Sequence, residues 1–248
     1  MKKAVVSLAI LAAISAPTFA ADSFQHEVNA GYSDHTDSDN ADTWDLGYRY
    51  YLNSQSNEQY AYDLIPFLNH ASWVEAAYAN NDYVDAYGLG GRFVTQSDWV
   101  IEANYSRIDP DHASSDDVWG LGIGKYLAKG TLLRFNYANS DDADSYGLTL
   151  EHLVPVSGSE GLLLSASIDN TDPDYGDDVW TYAVGGDYFI SRQWSVGADV
   201  NWNDGSEDYG WGLNTSYWFN SQANVKVTYA DQEDVKGYAW GIQGTLRF

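Results

Sequence analysis

Twelve charged residues of this chain share one property: each lies in a segment where apolar and polar residues alternate, and each belongs to the polar set. They are Glu27, Asp45, Arg49, Glu75, Arg92, Glu102, Arg134, Glu151, Asp187, Asp199, Lys226 and Arg247. Because successive side chains of a β-strand point to opposite faces, the polar set lies on one face. The pattern predicts a common hydrated surface, where opposed charges screen and orient small solutes. The alternative is that the charges pair as salt bridges in a filled interior.

The segments that carry these charges repeat the same alternation along the chain. In residues 194–202, large apolar side chains alternate with small or polar ones. Fourteen such segments can be drawn, at 24–34, 42–52, 70–80, 83–94, 99–108, 117–127, 131–139, 145–154, 161–169, 178–190, 193–203, 208–219, 223–230 and 236–248. One apolar and one polar face are typical of a transmembrane barrel. We expect an all-β, antiparallel, up-and-down β-barrel of about 14 strands; 12 or 16 also fit, because segment 53–69 has no clear assignment.

The connections between these segments alternate in chemistry. Odd-numbered connections such as 34–42 and 141–144 are acidic, whereas most even-numbered ones, such as 128–130 and 220–222, are short and nearly uncharged. A barrel with both termini in the periplasm places every odd connection outside and every even one inside. The alternation therefore predicts an even strand count and an acidic outer rim. This rim contains no EF-hand pattern, but it is a candidate for loose divalent-cation binding beside outer-leaflet phosphates.

The two ends of the chain indicate its destination. Residues 1–20 have a basic start, a short apolar run and a small-residue cleavage site, which is typical of an export signal. We expect residues 21–248 to form a single outer-membrane β-barrel domain. No later segment is long and apolar enough for a transmembrane helix, so a membrane-spanning form must be a closed barrel. The chain contains no cysteine, which suits the bacterial cell envelope.

Composition excludes several function classes. The formal charge is −24, and it becomes −26 when Lys2 and Lys3 are removed with the export signal. A chain this acidic is not expected to bind nucleic acid, which requires a basic surface. The glycine clusters lie inside alternating segments rather than in strand–turn–helix phosphate loops. The histidines have no metal-ligand spacing and no nucleophile elbow occurs, so no catalytic residue, metal or cofactor is predicted.

An export signal, fourteen acidic-looped segments and the ending Thr245-Leu246-Arg247-Phe248 together resemble the general porin family of Gram-negative outer membranes. The resemblance implies contact with outer-membrane lipid and lipopolysaccharide. It also implies that Phe248 is the assembly signal read by the barrel-assembly machinery. Trimeric general porins carry a long third external loop that narrows the pore, whereas the corresponding loop here is only 109–116. We therefore expect a monomer and leave a homo-oligomer open.

The expected function is a porin that forms a passive diffusion channel for small hydrophilic solutes, with an acidic mouth that favours cations. Saccharides are a variant of this hypothesis, because a pore-lining aromatic such as Trp73 could stack on sugar rings. The main alternative is a non-conducting structural or adhesive outer-membrane barrel that binds surfaces through its acidic loops. An outer-membrane enzyme and a soluble β-sandwich are weaker alternatives, because no activated nucleophile and no long crossover connection can be placed.

Overall fold

The computed structural model describes residues 23–37, 42–56, 59–205, 208–233 and 235–248. The export signal predicted at 1–20 lies outside these residues, as do parts of three acidic connections. The strands are β1 (Ser23–His35), β2 (Thr43–Ser56), β3 (Trp73–Asn80), β4 (Val84–Val94), β5 (Trp99–Pro110), β6 (Asp116–Ala128), β7 (Thr131–Asn139), β8 (Ala143–Val154), β9 (Gly161–Pro173), β10 (Val179–Phe189), β11 (Trp194–Asn203), β12 (Tyr209–Trp218), β13 (Ala223–Gln232) and β14 (Ala239–Arg247).

These strands form one closed sheet in which neighbours in sequence are neighbours in space. β1 closes the barrel by pairing antiparallel with β14, and this register sets Glu27 opposite Arg247. The described chain begins and ends at the same end of the barrel, where the amide of His26 donates to the carbonyl of Phe248. The prediction of a fourteen-stranded antiparallel barrel is confirmed. We call this end the terminal end and the opposite one the loop end.

The outer face of the barrel is a band of exposed apolar side chains. Leu89, Leu121 and Val184 are each more than half exposed, a degree of exposure that suits a side chain meeting lipid. Aromatic residues flank this band, as where Trp202 lies opposite Tyr209 toward the loop end. Because only alternate strand residues face outward, the mean hydropathy of the whole chain is only −0.40.

The segment left unassigned by the sequence does not add a strand. β2 continues to Ser56, and the chain then enters the barrel interior at the terminal end. There it forms a 3-10 turn at Tyr62–Leu64 and one turn of α-helix, α1 (Ile65–Leu68), which has a proline as its second residue. In the described part of the chain, no helix is both long and apolar enough to span a membrane. The connection between β2 and β3 is therefore an insertion into the lumen rather than a simple turn.

Candidate functional site in the barrel interior

The twelve charged residues singled out above all occupy inner-face positions of the barrel, because their cross-strand partners share that face while the alternate residues face outward. Eight form ion pairs, and we call this set the charge belt: Glu27, Arg49, Glu75, Arg92, Glu102, Arg134, Glu151 and Arg247. Among the described residues, the other four take part in no ion pair: Asp45, Asp187, Asp199 and Lys226.

The first half of the charge belt crosses the closure between β14 and β1. Arg247 donates from Nε to Glu27 Oε2 at 2.7 Å, and both side chains are only 6% exposed. Arg49 reaches the other oxygen of Glu27 at 3.6 Å and donates to Glu75 Oε2 at 2.6 Å. Tyr51 also donates to Glu27 at 3.2 Å. Glu27 therefore joins three strands through one carboxylate.

The second half of the charge belt continues from β4 to β8. Arg92 Nε contacts Glu102 Oε1 at 2.5 Å, and Arg134 lies 3.3 Å from the other oxygen of Glu102. Arg134 also donates to Glu151 at 3.1 Å. These side chains are 15–23% exposed, so they are partly removed from water. Four arginines and four glutamates neutralise one another, and the charge belt has no net charge.

Trp73 joins the two halves of the charge belt. The guanidinium carbon of Arg49 lies 4.5 Å from the centre of its ring, and that of Arg92 lies 5.7 Å away. Both distances are within the range of cation–π attraction. The ring therefore contacts both arginines, and the stacking of Trp73 on sugars stays a prediction.

The unpaired aspartates of the lumen each lie opposite a glycine on the next strand. Asp45 faces Gly31, and Asp187 faces Gly197. A Cβ added to either glycine would come within 2.1 Å of the aspartate Oδ1. The missing side chains thus let these carboxylates lie along the wall instead of standing out into the lumen. Asp199 over Gly212 repeats this arrangement at 2.7 Å.

One further lumen aspartate was missed by the sequence analysis. Asp169 lies opposite Gly147 on the inner face, and its Oδ1 is 2.2 Å from a Cβ built on that glycine. The sequence prediction ended β9 at 169 and counted this residue with the following acidic connection, whereas β9 continues to Pro173. The inner series Ser165, Ser167, Asp169, Thr171 could have revealed it, because the alternation does not stop at 169.

The segment between β2 and β3 fills the terminal end of the lumen. We call residues 59–72 the plug segment. Ile65 is fully buried against Tyr51 of β2, and Leu64 is buried against Phe189 of β10. Phe67 packs toward the cluster formed by β5, β6 and β7. Its apolar side chains touch several parts of the wall and are shielded from water, so the plug segment fills much of this end of the barrel.

A carboxylate holds the plug segment to the wall. Asp63 accepts a hydrogen bond from Trp218 Nε1 at 2.8 Å and one from Ser216 Oγ at 2.9 Å. The neighbouring carbonyl of Tyr62 accepts from Arg247 Nη1 at 2.7 Å. These contacts link the plug segment to β12 and β14, so the charge belt and the plug segment support each other through Arg247.

Both flanks of the plug segment are also held. Before the helical turn, the carbonyl of Tyr60 accepts from Arg192 Nε at 3.0 Å. After it, His70 stacks on Tyr126 and its Nδ1 lies 2.9 Å from an oxygen of Asp98. His70 and Asp98 have φ values of 51° and 64°, which are uncommon for residues with a side chain. The contact between the His70 and Asp98 side chains favours the positive φ of both residues.

A polar cavity of about 530 Å³ lies in the lumen on the loop-end side of the plug segment. Asp63, Leu64 and Phe67 form its floor, and Asp187 and Lys226 lie in its walls. A smaller cavity of about 210 Å³ is also lined by Lys226 and extends to Asp45 on β2. Within the described residues no group of three or more His, Asp or Glu is arranged to hold a metal ion. Both cavities are lined largely by charged and neutral polar side chains.

The apolar outer face and the charged interior with its cavities are typical of outer-membrane barrel proteins. Sequence comparison shows to which family of these proteins the chain belongs. The sequence model of the family described as "Putative general bacterial porin" matches residues 1–179 and 151–248, which together span the chain. The chain belongs to this porin family. The porin is therefore a bacterial outer-membrane protein, and in that setting the terminal end is the periplasmic end and the loop end is external.

Solved structures share the fold of this porin. The outer membrane protein Omp33 of Acinetobacter baumannii superimposes with a TM-score of 0.72 at 20% identity, covering 92% of the porin and 99% of Omp33. A bacterial polysaccharide outer membrane secretin gives 0.54 at 11% identity, with coverages of 90% and 98%. KdgM porin gives 0.51 at 10% identity, with coverages of 90% and 99%. No curated protein matches the sequence. At these identities the structural likeness shows the fold, while the family indicates a channel rather than an enzyme.

Proposed function

We propose that this porin is a passive diffusion channel for small hydrophilic solutes that prefers cations. The observation that carries the proposal is the charge left on the inner face of the strands after ion pairing. The charge belt is neutral, whereas Asp45, Asp169, Asp187 and Asp199 remain unpaired against the single unpaired inner-face cation of the described residues, Lys226. Four negative charges against one positive charge leave three negative charges.

The position of these aspartates supports an effect on permeating ions. Asp187 and Asp45 line the two lumen cavities and Asp199 lines a further one, where low-dielectric walls focus the field on a passing ion. The external connections add exposed carboxylates such as Asp111, Asp142 and Asp174 at the mouth. Both groups raise the local concentration of cations and lower that of anions.

The reversal potential of the refolded porin under a KCl gradient in a planar bilayer tests the proposal. We expect a potential that reports K⁺ entering more readily than Cl⁻. The variant Asp169→Asn/Asp187→Asn/Asp199→Asn removes three lumen charges and should lose most of the preference. Its matched control removes three exposed loop charges, Asp111→Asn/Asp142→Asn/Asp174→Asn, and should lose less. Anion preference in the parent protein would contradict the proposal.

A second candidate is a barrel that does not conduct, and the plug segment is the observation that favours it. Leu64, Ile65 and Leu68 pack at the periplasmic end with exposures of 8% or less. A solute can cross only if the plug segment moves or if a path remains beside it. In the non-conducting alternative, the acidic external loops would serve surface binding instead.

Substitutions that release the plug segment from the wall distinguish the conducting channel from the non-conducting barrel. Asp63→Ala removes the acceptor for Trp218 and Ser216, whereas Asp63→Asn keeps a side-chain oxygen that can accept from Trp218. If the parent barrel is closed, it should show no conductance and Asp63→Ala should create it. If the parent porin conducts, the non-conducting candidate is removed. Asp63→Asn should behave like the parent in either case.

Export, assembly and oligomeric state are also proposals. We propose that residues 1–20 are removed, which N-terminal sequencing of the purified porin checks. We further propose that the barrel-assembly machinery recognises Phe248, whose exposed ring stacks on His26 at a centroid distance of 5.2 Å. Sedimentation in detergent should give a monomer, since no long third loop is available to build a trimeric pore.

A further inference from the structure

We infer that the 530 Å³ cavity binds small zwitterions, such as amino acids and short peptides, with Lys226 taking the carboxylate and Asp187 the ammonium group. The inference rests on the proposed channel function, because the ligand reaches the cavity through the lumen. It names a solute class for that channel and a site at which the solute pauses.

Most of the other charged side chains around the cavity are already paired with one another, which leaves Lys226 and Asp187 for a ligand. Arg247 and Glu27 are joined at 2.7 Å, and Arg49 is joined to Glu75 at 2.6 Å. Their charges are already neutralised.

The remaining cavity carboxylates are also engaged. Glu151 accepts from Arg134, and Asp63 accepts from Trp218 and Ser216. Lys226 and Asp187 make no ion pair within the described residues. A ligand that carries one charge would satisfy one of the two groups and approach the other unfavourably. A zwitterion satisfies both.

The spacing of the two groups suits a molecule rather than a direct contact. Asp187 is on β10 and Lys226 is on β13, so three strand spacings of ~4.8 Å separate them by ~14 Å across the strands. The strand registers place Asp187 level with Thr228, two residues along β13 from Lys226. The Asp187 carboxylate lies over Gly197 on β11, toward β13, and the long stem of Lys226 shortens the gap from the other side. We expect the space left between the charged atoms to suit a compact molecule with one charge at each end.

Neutral polar groups lie beside each of the two charges. Asn214 lies on β12 between β10 and β13, and its Nδ2 and Asp187 Oδ1 both converge over Gly197. Gln243 lies directly opposite Lys226 on β14. These amides can donate to a carboxylate and accept from an ammonium or peptide group. The amide next to each charged residue thus extends the surface that a zwitterion would contact.

Calorimetric titration of the folded porin in detergent micelles at low ionic strength tests the inference. The probes are glycine and glycylglycine, compared with acetate, ethylammonium and glucose. We expect at least one zwitterion to bind at least ~10-fold more tightly than each comparator, because a charged hydrogen bond at each end contributes to affinity. Equal binding of acetate or ethylammonium, or tighter binding of glucose, would overturn the zwitterion assignment.

Two lumen variants and two controls locate the site. Lys226→Gln and Asp187→Asn should each weaken zwitterion binding ~10-fold or more, since each removes one charged partner. Lys125→Gln on the lipid face and Asp142→Asn in an external loop remove the same charges elsewhere and should bind as the parent does. Unchanged binding by both lumen variants would contradict the site.

Bilayer recordings on the same samples separate this inference from the proposed function. A porin that conducts K⁺ in preference to Cl⁻ but binds no zwitterion overturns the inference and leaves the channel standing. A barrel that binds glycine through Lys226 and Asp187 without conducting keeps the site and overturns the channel.

Discussion

The charge belt and the unpaired aspartates line the same barrel but differ in what surrounds them. Glu27 and Arg247 are 6% exposed beside the plug segment, whereas Asp199 is exposed to the lumen. A buried charge without a partner is costly, so those near the plug segment are paired. A charge that keeps its water needs no partner. Pairing of Glu27 with Arg247 thus accords with their burial, and the absence of an ion pair at Asp199 accords with its exposure.

This difference separates two roles that look identical in the sequence. Paired charges cancel each other's field at distances longer than their separation and act mainly on stability, because they hold neighbouring strands and the plug segment together. Unpaired charges contribute little to stability and produce the field that a solute experiences. Substitutions in the two regions should therefore change different measured quantities.

The largest loss of stability is expected for Glu27→Ala. This change leaves Arg247 buried without its 2.7 Å partner and also removes the second partner of Arg49. Removing one member of a buried pair costs ~3–5 kcal/mol. Urea unfolding in lipid vesicles measures the change. Glu27→Gln keeps a hydrogen-bond acceptor and should cost less; equal stability of Glu27→Ala and the parent would break the proposed contrast.

A loss of similar or smaller size is expected for Ile65→Ala in the plug segment. Ile65 is fully buried, and truncating a buried isoleucine costs ~2–5 kcal/mol. The loss of stability should be confined to the plug segment, because the hydrogen bonds between strands do not depend on Ile65. Hydrogen exchange should quicken at the amide of Leu64, which donates to the carbonyl of Ala61, and stay unchanged at β11 amides. Equal quickening in β11 would show that the plug segment and barrel unfold together.

An intermediate effect is expected for Gly197→Ala. Its Cβ would lie 2.1 Å from Asp187 Oδ1, so Asp187 must move, and such overpacking costs ~1–3 kcal/mol where the neighbours cannot yield. Gly88→Ala is the matched control, because its Cβ would meet nothing closer than 3.8 Å. Urea unfolding and the reversal potential should both shift for Gly197→Ala only. A shift of the same size in Gly88→Ala would mean that the lumen glycines act through the backbone instead.

The smallest effect on stability is expected for Asp199→Asn, which should stay within ~0.5 kcal/mol of the parent. Asp199 has no ion-pair partner among the described residues and faces the lumen. Its loss should nevertheless reduce the K⁺ preference, because one unpaired negative charge is removed. Paired unfolding and reversal-potential measurements check both parts. A clear loss of stability without a change in selectivity would assign Asp199 to the same role as the charge belt.

Local alternation was sufficient to predict the strands. β11 was expected at 193–203 and is found at Trp194–Asn203, because period-2 apolar spacing allows only one face to meet lipid. The same rule placed Arg134 and Lys226 on the inner face. Strand ends were less certain. β3 begins at Trp73 instead of 70, because the preceding residues belong to the plug segment.

The sequence by itself determined a closed, lipid-facing barrel and the side of the wall on which each charge lies, since both follow from the chemistry of neighbouring residues. Only the tertiary structure decided which charges are paired. Glu27 and Arg247 are 220 positions apart and meet because β1 closes on β14. It also decided that residues 59–72 fill the periplasmic end. These contacts depend on distances across a closed cylinder, and no local pattern in the chain encodes them.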